Sequence, residues 1–137
     1  AEEKPEHRVM MALLWALYLP RYPQLRIDVP VRLRYRPDLV QLGQQGQIEF
    51  WGEAGAVSVD KLHYLCRRLR DTHLVFARWD AQPRAFGALI ERALQDSRRQ
   101  APVELLGFDE RALASIGDDG TIEPAEAVIW RTTWQAP

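Results

Sequence analysis

Apolar residues change their spacing several times along the chain, and each change marks an element. From Val9 to Leu19 nearly every position is apolar, which predicts a helix covered on most sides rather than an amphipathic surface helix. That helix is expected over Glu3 to Leu19, with Pro5 in its opening turn and Pro20 and Pro23 ending it. Leu25 to Val29 reads as a short strand or an extended linker. Val31 to Tyr35 then alternates, with Val31, Leu33 and Tyr35 on one side and Arg32, Arg34 and Arg36 on the other, the period of a strand. Pro30 and Pro37 leave two options, a separate strand or a long bent one running on to Leu42. Leu39 to Leu42 suits a strand, Gly43 to Gly46 a polar hairpin loop, and Gln47 to Glu53 the returning strand.

In the second half, Ser58 is placed to cap a helix whose apolar stripe is Leu62, Leu65, Cys66 and Leu69. His73 to Trp79 is a compact apolar strand. Pro83 opens a helix in which Phe86, Leu89, Ile90 and Leu94 keep helical spacing, and Val103 to Leu106 is a short strand. Asp109 caps a brief helix stopping at Gly117, Asp118 to Gly120 is a turn, and Ala127 to Trp134 is a final strand. The order is α-β-β-β-α-β-α-β. A meander followed by a helical crossover implies an α/β fold, a mixed sheet with helices on both faces.

Composition narrows the picture. At 137 residues, 47% hydrophobic and 27% charged, the chain is expected to form a single domain over residues 1–137 that buries its own core. It opens on Ala1 rather than Met, pointing to processing or to an excerpt that lacks preceding residues. The net charge of −1 gives no global basic field. The single cysteine, Cys66, excludes an internal disulfide and a cysteine zinc cage, and fits a cytoplasmic setting. No apolar run reaches the roughly 18–20 residues that span a bilayer, so no membrane partner is expected.

Chemistry concentrates in the hairpin. A symmetric loop sets Val40 opposite Glu49 and Asp38 opposite Trp51, so that Asp38, Glu49 and Glu53 converge on one side. Carboxylates so close need a proton, an arginine or a cation between them, and a hard cation such as Mg²⁺ is often held by one or two carboxylates with substrate phosphate. Lys61 follows eight residues after Glu53; Lys4 is the only other lysine. The plainer alternatives are strand-end chemistry for Asp38, solvated carboxylates for Glu49 and Glu53, and a surface position for Lys61. Glu6 and His7 can reach the site from the first helix, although first-turn exposure is the simpler expectation. Arg34 and Arg36 on one segment, and Arg67 on the next helix, are candidate phosphate contacts, against the simpler reading of solvated charge.

The order of elements, with Pro37-Asp38 on one strand and Glu53 on the next, resembles the PD-(D/E)XK nuclease superfamily. Within it, Glu49-Phe50-Trp51-Gly52-Glu53-Ala54-Gly55, the basic helix from Lys61 to Arg70, and the tail Val128-Ile129-Trp130 with Trp134-Gln135 are similar to YaeQ-like proteins. The resemblance implies a restriction-endonuclease-like αβββαβ core. It implies Mg²⁺, or Mn²⁺ in its place, held by Asp38 and Glu53 with Glu49, and a DNA or RNA substrate. The superfamily pattern sets a lysine two residues after its glutamate. Here Trp51 and Gly55 stand two after Glu49 and Glu53, so the lysine's role of assisting the attacking water passes to Lys61. A catalytically inactive module that binds nucleic acid or a protein partner is the alternative within the same fold.

Overall fold

The apolar run near the N-terminus folds into α1, Pro5–Tyr18, in the computed structural model, which describes residues 4–80, 84–95 and 97–135. Its buried Met10, Leu13, Leu14 and Tyr18 pack on Leu39, Phe50, Val75, Leu106 and Phe108. Five further stretches match the expected order: β2 (Leu39–Leu42), β3 (Ile48–Ala54), α2 (Val59–Arg68), β4 (His73–Trp79) and β5 (Val103–Phe108). The helix expected after Pro83 is α3, Arg84–Leu94; Pro83 itself, like Glu3, lies outside the described residues.

One six-stranded mixed sheet runs β1-β2-β3-β4-β5-β6, with β1 at Arg26–Ile27 and β6 at Trp130–Trp134. β3, β4 and β5 are parallel, and the outer pairs are antiparallel. α1 covers one face. On the other face Trp51, Leu74, Phe76 and Leu105 pack with Leu62 and Leu65 of α2 and Phe86 and Ile90 of α3. The central strands are covered on both sides, which is why HLVFARW is apolar at nearly every position instead of alternating.

Two expectations are corrected, and the brief helix expected after Asp109 is present with Asp109 as its N-cap. Val31 to Tyr35 joins no strand ladder. Its alternation is nevertheless real as burial, because Val31, Leu33 and Tyr35 pack on the α2 face while Arg32, Arg34 and Arg36 are exposed. Prolines at both ends remove donors that pairing would need, and the third strand of the meander is β1 instead. The last strand begins at Trp130, not Ala127, since Pro124 starts a helical turn, α4 (Pro124–Ala127), that buries Ala127. The segment after Asp109 is a 3₁₀ helix, Glu110–Ser115.

The hairpin register also differs, and this difference positions the site. Gly43 donates to the Gln47 carbonyl at 2.7 Å, so the loop is one residue out of symmetry. A bulge between Gln41 and Leu42 adds a second offset by passing over Glu49. Val40 therefore pairs with Trp51 rather than with Glu49. Two offsets of one residue keep Asp38, Trp51 and Glu53 on one face and move Asp38 level with Glu53, while the bulge puts Ile48 on the Trp51 face and turns Glu49 to Gln41.

Arg99, 5% exposed, closes the C-terminal end of α2. Its guanidinium donates to the carbonyls of Cys66 at 3.0 Å and Leu69 at 2.8 Å, and to that of Thr72 just beyond the helix, acceptors that a helix end leaves without partners of its own. Burial lowers its pKa, while the negative ends of those carbonyls suit a cation. Arg99→Met is expected to lower unfolding free energy by about 2–4 kcal/mol, read as a fall in the urea midpoint at unchanged slope. A loss under about 0.5 kcal/mol would show that water replaces the guanidinium at those carbonyls.

Candidate functional site

Asp38, Glu53 and Lys61 meet where β3 ends and α2 begins. Asp38 is held at the entrance of β2 by its own N–H donating to the Gly52 carbonyl at 3.1 Å, and by its Oδ2 accepting the Ala54 N–H at 2.8 Å. One residue before Ala54, Glu53 is 4% exposed. Its Oε1 accepts the indole N–H of Trp51 at 2.8 Å and pairs with Lys61 Nζ at 2.7 Å. Gly55, at φ +94°, turns the chain out of β3, a conformation that L side chains strain to adopt.

Lys61 reaches this carboxylate because α2 starts where it does. Ser58 is the N-cap, and its Oγ accepts the Lys61 N–H at 3.1 Å. A cation in the first helical turn opposes the helix dipole, so the position is electrostatically poor unless a negative partner lies near it. Glu53 is that partner. The Lys61 ammonium also lies 5.6 Å from the centre of the Tyr35 ring, and Tyr35 meets Tyr64 edge-on at 5.2 Å.

Burial is the largest influence on Glu53 and raises its carboxyl above the ordinary value. The Asp38 charge adds to this, and Lys61 and the Trp51 hydrogen bond oppose it.

His7, given a solvent-exposed first turn by the simpler expectation, instead extends from α1 to Asp38, with Nε2 3.3 Å from Oδ2. Long-range packing of α1 decides this, and nothing local in the sequence marks it. Glu49 stands apart from the carboxylate pair: as the bulge residue it accepts from Gln41 Nε2 at 2.8 Å. Among the described residues no three His, Cys, Asp or Glu side chains gather into a group able to hold a metal ion. The three-carboxylate cluster reduces to Asp38 and Glu53.

The arginines divide as well. Arg34 and Arg67, with His63, Tyr64 and Arg68, line an open cavity of about 560 Å³ along α2. Arg36 does not join them, because Asp28 holds it through a 3.1 Å ion pair and a 2.7 Å hydrogen bond to its carbonyl. Elsewhere, a buried group around His73 and Glu104 joins Tyr18 and Tyr22. The sequence signal for it was a histidine and a glutamate set in the apolar runs HLVFARW and VELL, where an ionisable residue needs a partner.

No protein-family model matches the chain, and no curated protein does. Among solved structures, the YaeQ protein from Xanthomonas axonopodis pv. citri is similar over 100% of this chain and 86% of its own, at 16% identity and a TM-score of 0.58. The YaeQ protein from Pseudomonas syringae is similar over 87% of this chain and 64% of its own, at 19% identity and a TM-score of 0.55. The chain is YaeQ-like in fold. None of its described helices is long and apolar enough to cross a membrane.

With its pKa raised, Glu53 binds a proton more tightly in the folded than in the unfolded chain. The stability it contributes is present at acid pH and is lost as pH rises from the ordinary carboxylate value through the raised one. Lys61→Met removes the cation that opposes burial and widens that window upward. The variant is expected to be about 2–4 kcal/mol less stable than wild type at neutral pH, the deficit shrinking as acid protonates Glu53. Urea unfolding from about pH 5 to about pH 8 checks this, and a deficit independent of pH would refute the coupling.

Proposed function

We propose that this chain is a PD-(D/E)XK-type protein whose Asp38–Glu53–Lys61 corner hydrolyses phosphodiester bonds of DNA or RNA with Mg²⁺, or Mn²⁺ in its place. The observation carrying this reading is the meeting of two carboxylates and one ammonium across a strand pair and a helix start. Their place at the C-terminal end of a parallel strand is where ligands of open α/β sheets bind. Asp38 engages the Ala54 N–H and His7 through Oδ2, and Glu53 engages Trp51 and Lys61 through Oε1. Two carboxylates of this kind suit a hard cation that takes its other ligands from water and substrate phosphate. Bound there, Mg²⁺ would neutralise phosphoryl charge and acidify a coordinated water.

The protein's own side chains supply the rest. Lys61 brings a positive charge beside the carboxylates, suited to a phosphoryl group's growing negative charge. The Ala54 N–H and His7 hold Asp38 in place. Arg34, Arg67 and Arg68 along the neighbouring cavity can take successive phosphates, positioning the strand without reading its sequence.

A second reading, a catalytically inactive module that binds nucleic acid or a protein partner, is favoured by one observation. Lys61 and Trp51 both engage Glu53 Oε1, inside a pocket that leaves the side chain 5% exposed. A pair so closed can serve as a strut rather than a catalyst.

Calorimetry with Mg²⁺ or Mn²⁺, followed by cleavage assays on DNA and RNA, separates the two. The nuclease reading expects saturable metal binding lost in Asp38→Ala, and cleavage falling at least about 100-fold in Glu53→Gln while the fold persists. Absence of metal-dependent cleavage with retained nucleic-acid affinity would establish the binding module. In either case Arg34→Ala and Arg67→Ala should each weaken nucleic-acid binding and lower the slope of log affinity against log salt by about 1. Unchanged slopes would remove the basic cavity from the interface.

A further inference from the structure

At the opposite end of the parallel strands, a chain of hydrogen bonds runs from a half-buried carboxylate to the hydroxyl of a half-buried tyrosine. Glu104, near the start of β5, receives the Tyr18 hydroxyl at 2.6 Å on Oε2, and His73 Nε2 lies 2.8 Å from the same oxygen. Thr133 donates to Oε1 at 3.4 Å. Burial pushes the Glu104 carboxyl up, but the hydrogen bonds from His73 and Tyr18 outweigh it and hold it at about 2. At neutral pH Glu104 is therefore an acceptor only, and His73 must present Nε2–H to it. In the neutral tautomer that does so, the lone pair of Nδ1 is left for Tyr22, whose hydroxyl is 2.8 Å away. The order hydroxyl, imidazole, carboxylate is that of a nucleophile, its general base and the group that orients the base.

What sets this group apart from a satisfied core histidine is where it ends. His73 is 3% exposed, whereas Tyr22 is half-buried and borders an open cavity of about 560 Å³ with Arg21, Gln41, Glu49 and Asp71. The last residue of the chain of bonds thus borders a space of ligand size. Burial keeps the Tyr22 phenol protonated, so the hydroxyl needs a base to react, and Nδ1 is in place. Arg21 lies 5.5 Å from the centre of the Tyr22 ring, a cation suited to a developing phenolate. Against that one guanidinium the cavity sets two carboxylates, Glu49 and Asp71; a phosphate ester is repelled and an uncharged ligand is not.

We propose that Tyr22 is a base-activated nucleophile at a second site, one that takes the acyl group of a small uncharged ester. The phenol oxygen bonds to the ester carbonyl carbon as its proton passes to His73 Nδ1. The imidazolium is paired with Glu104 and returns the proton to the departing alkoxide as the ester C–O bond breaks. Acyl-Tyr22 and an alcohol result.

The probe is p-nitrophenyl acetate with the whole chain, followed by nitrophenolate release and by peptide mapping for one acetyl group. Release of about one equivalent with the acetyl on Tyr22, in preference to Tyr35 and Tyr64, is the expected result. Tyr22→Phe should abolish it, and His73→Gln should slow it about 100-fold or more. Because His73 is buried and its variant can misfold, the wild-type pH profile provides a second reading. A relay makes the rate level off once the imidazole is neutral, whereas an unassisted phenol gains about tenfold per pH unit throughout. Asp38→Ala should leave the adduct unchanged, which keeps this site separate from the carboxylate corner. Acetylation spread evenly over the tyrosines, or a Tyr22 rate tracking hydroxide, would overturn the proposal.

Discussion

The buried carboxylate of Glu53 constrains everything around it. A charge 4% exposed is tolerable only with partners in hydrogen-bonding contact, and they come from two directions: Trp51 from its own strand and Lys61 from α2. Each partner in turn fixes something else. The Ser58 cap sets where α2 begins, which sets Lys61 in the first turn against the helix dipole. A lysine there breaks a local rule, and Glu53 offsets the break. Helix start, ion pair and strand end are one arrangement, and none of them can shift by a residue without the others.

How far that arrangement was legible follows from the range of the forces involved. Faces are local: alternation in a strand and 3.6-residue spacing in a helix assign side chains to sides, so Trp51 with Glu53 and the stripe Leu62, Leu65 and Cys66 were readable. Register is not local. It emerged from an asymmetric loop and a bulge at Glu49, each adding one residue, and neither has a compositional signature in GQQGQIE. Because the two offsets sum to an even number, Asp38, Trp51 and Glu53 kept a common face while their cross-strand partners changed, and only Ile48 and Glu49, at the bulge, left the expected alternation. The same distinction explains Val31 to Tyr35: its alternation reported burial correctly, and prolines denied it a ladder. His7 on Asp38 and Arg99 beneath α2 depend on elements meeting across long stretches of chain, so no window of sequence contains them.

The site candidates separated along the same line. Asp38 and Glu53 were set on one side by the symmetric register, with Lys61 added from the helix that follows; in the structure Lys61 pairs with Glu53, and Asp38 lies level with it. Glu49 was added by a register that assumed symmetry, and the bulge carries it off to Gln41. Arg36 was assigned by alternation alone, which says which side a residue lies on and nothing about a neighbour such as Asp28 that takes its charge. Arg34 and Arg67 share a cavity because the segment before β2 lies beside α2, a contact that only the fold supplies.

The two ends of the parallel strands bury two glutamates and treat them in opposite ways. Glu53 has one ammonium and one indole, and burial prevails, so its carboxyl is raised. Glu104 receives a phenol and an imidazole on a single oxygen, and the donors prevail, so its carboxyl is held at about 2. The difference lies in how fully the charged form is solvated by protein. A carboxylate short of donors remains responsive to whatever cation or proton approaches, which is the property a metal or phosphate site requires. A carboxylate saturated with donors is fixed in charge and can only orient its neighbours, which is what a base such as His73 needs behind it. The same residue type, set at opposite ends of one sheet, thereby has its carboxyl raised at one end and lowered at the other by its burial set against the donors that reach it.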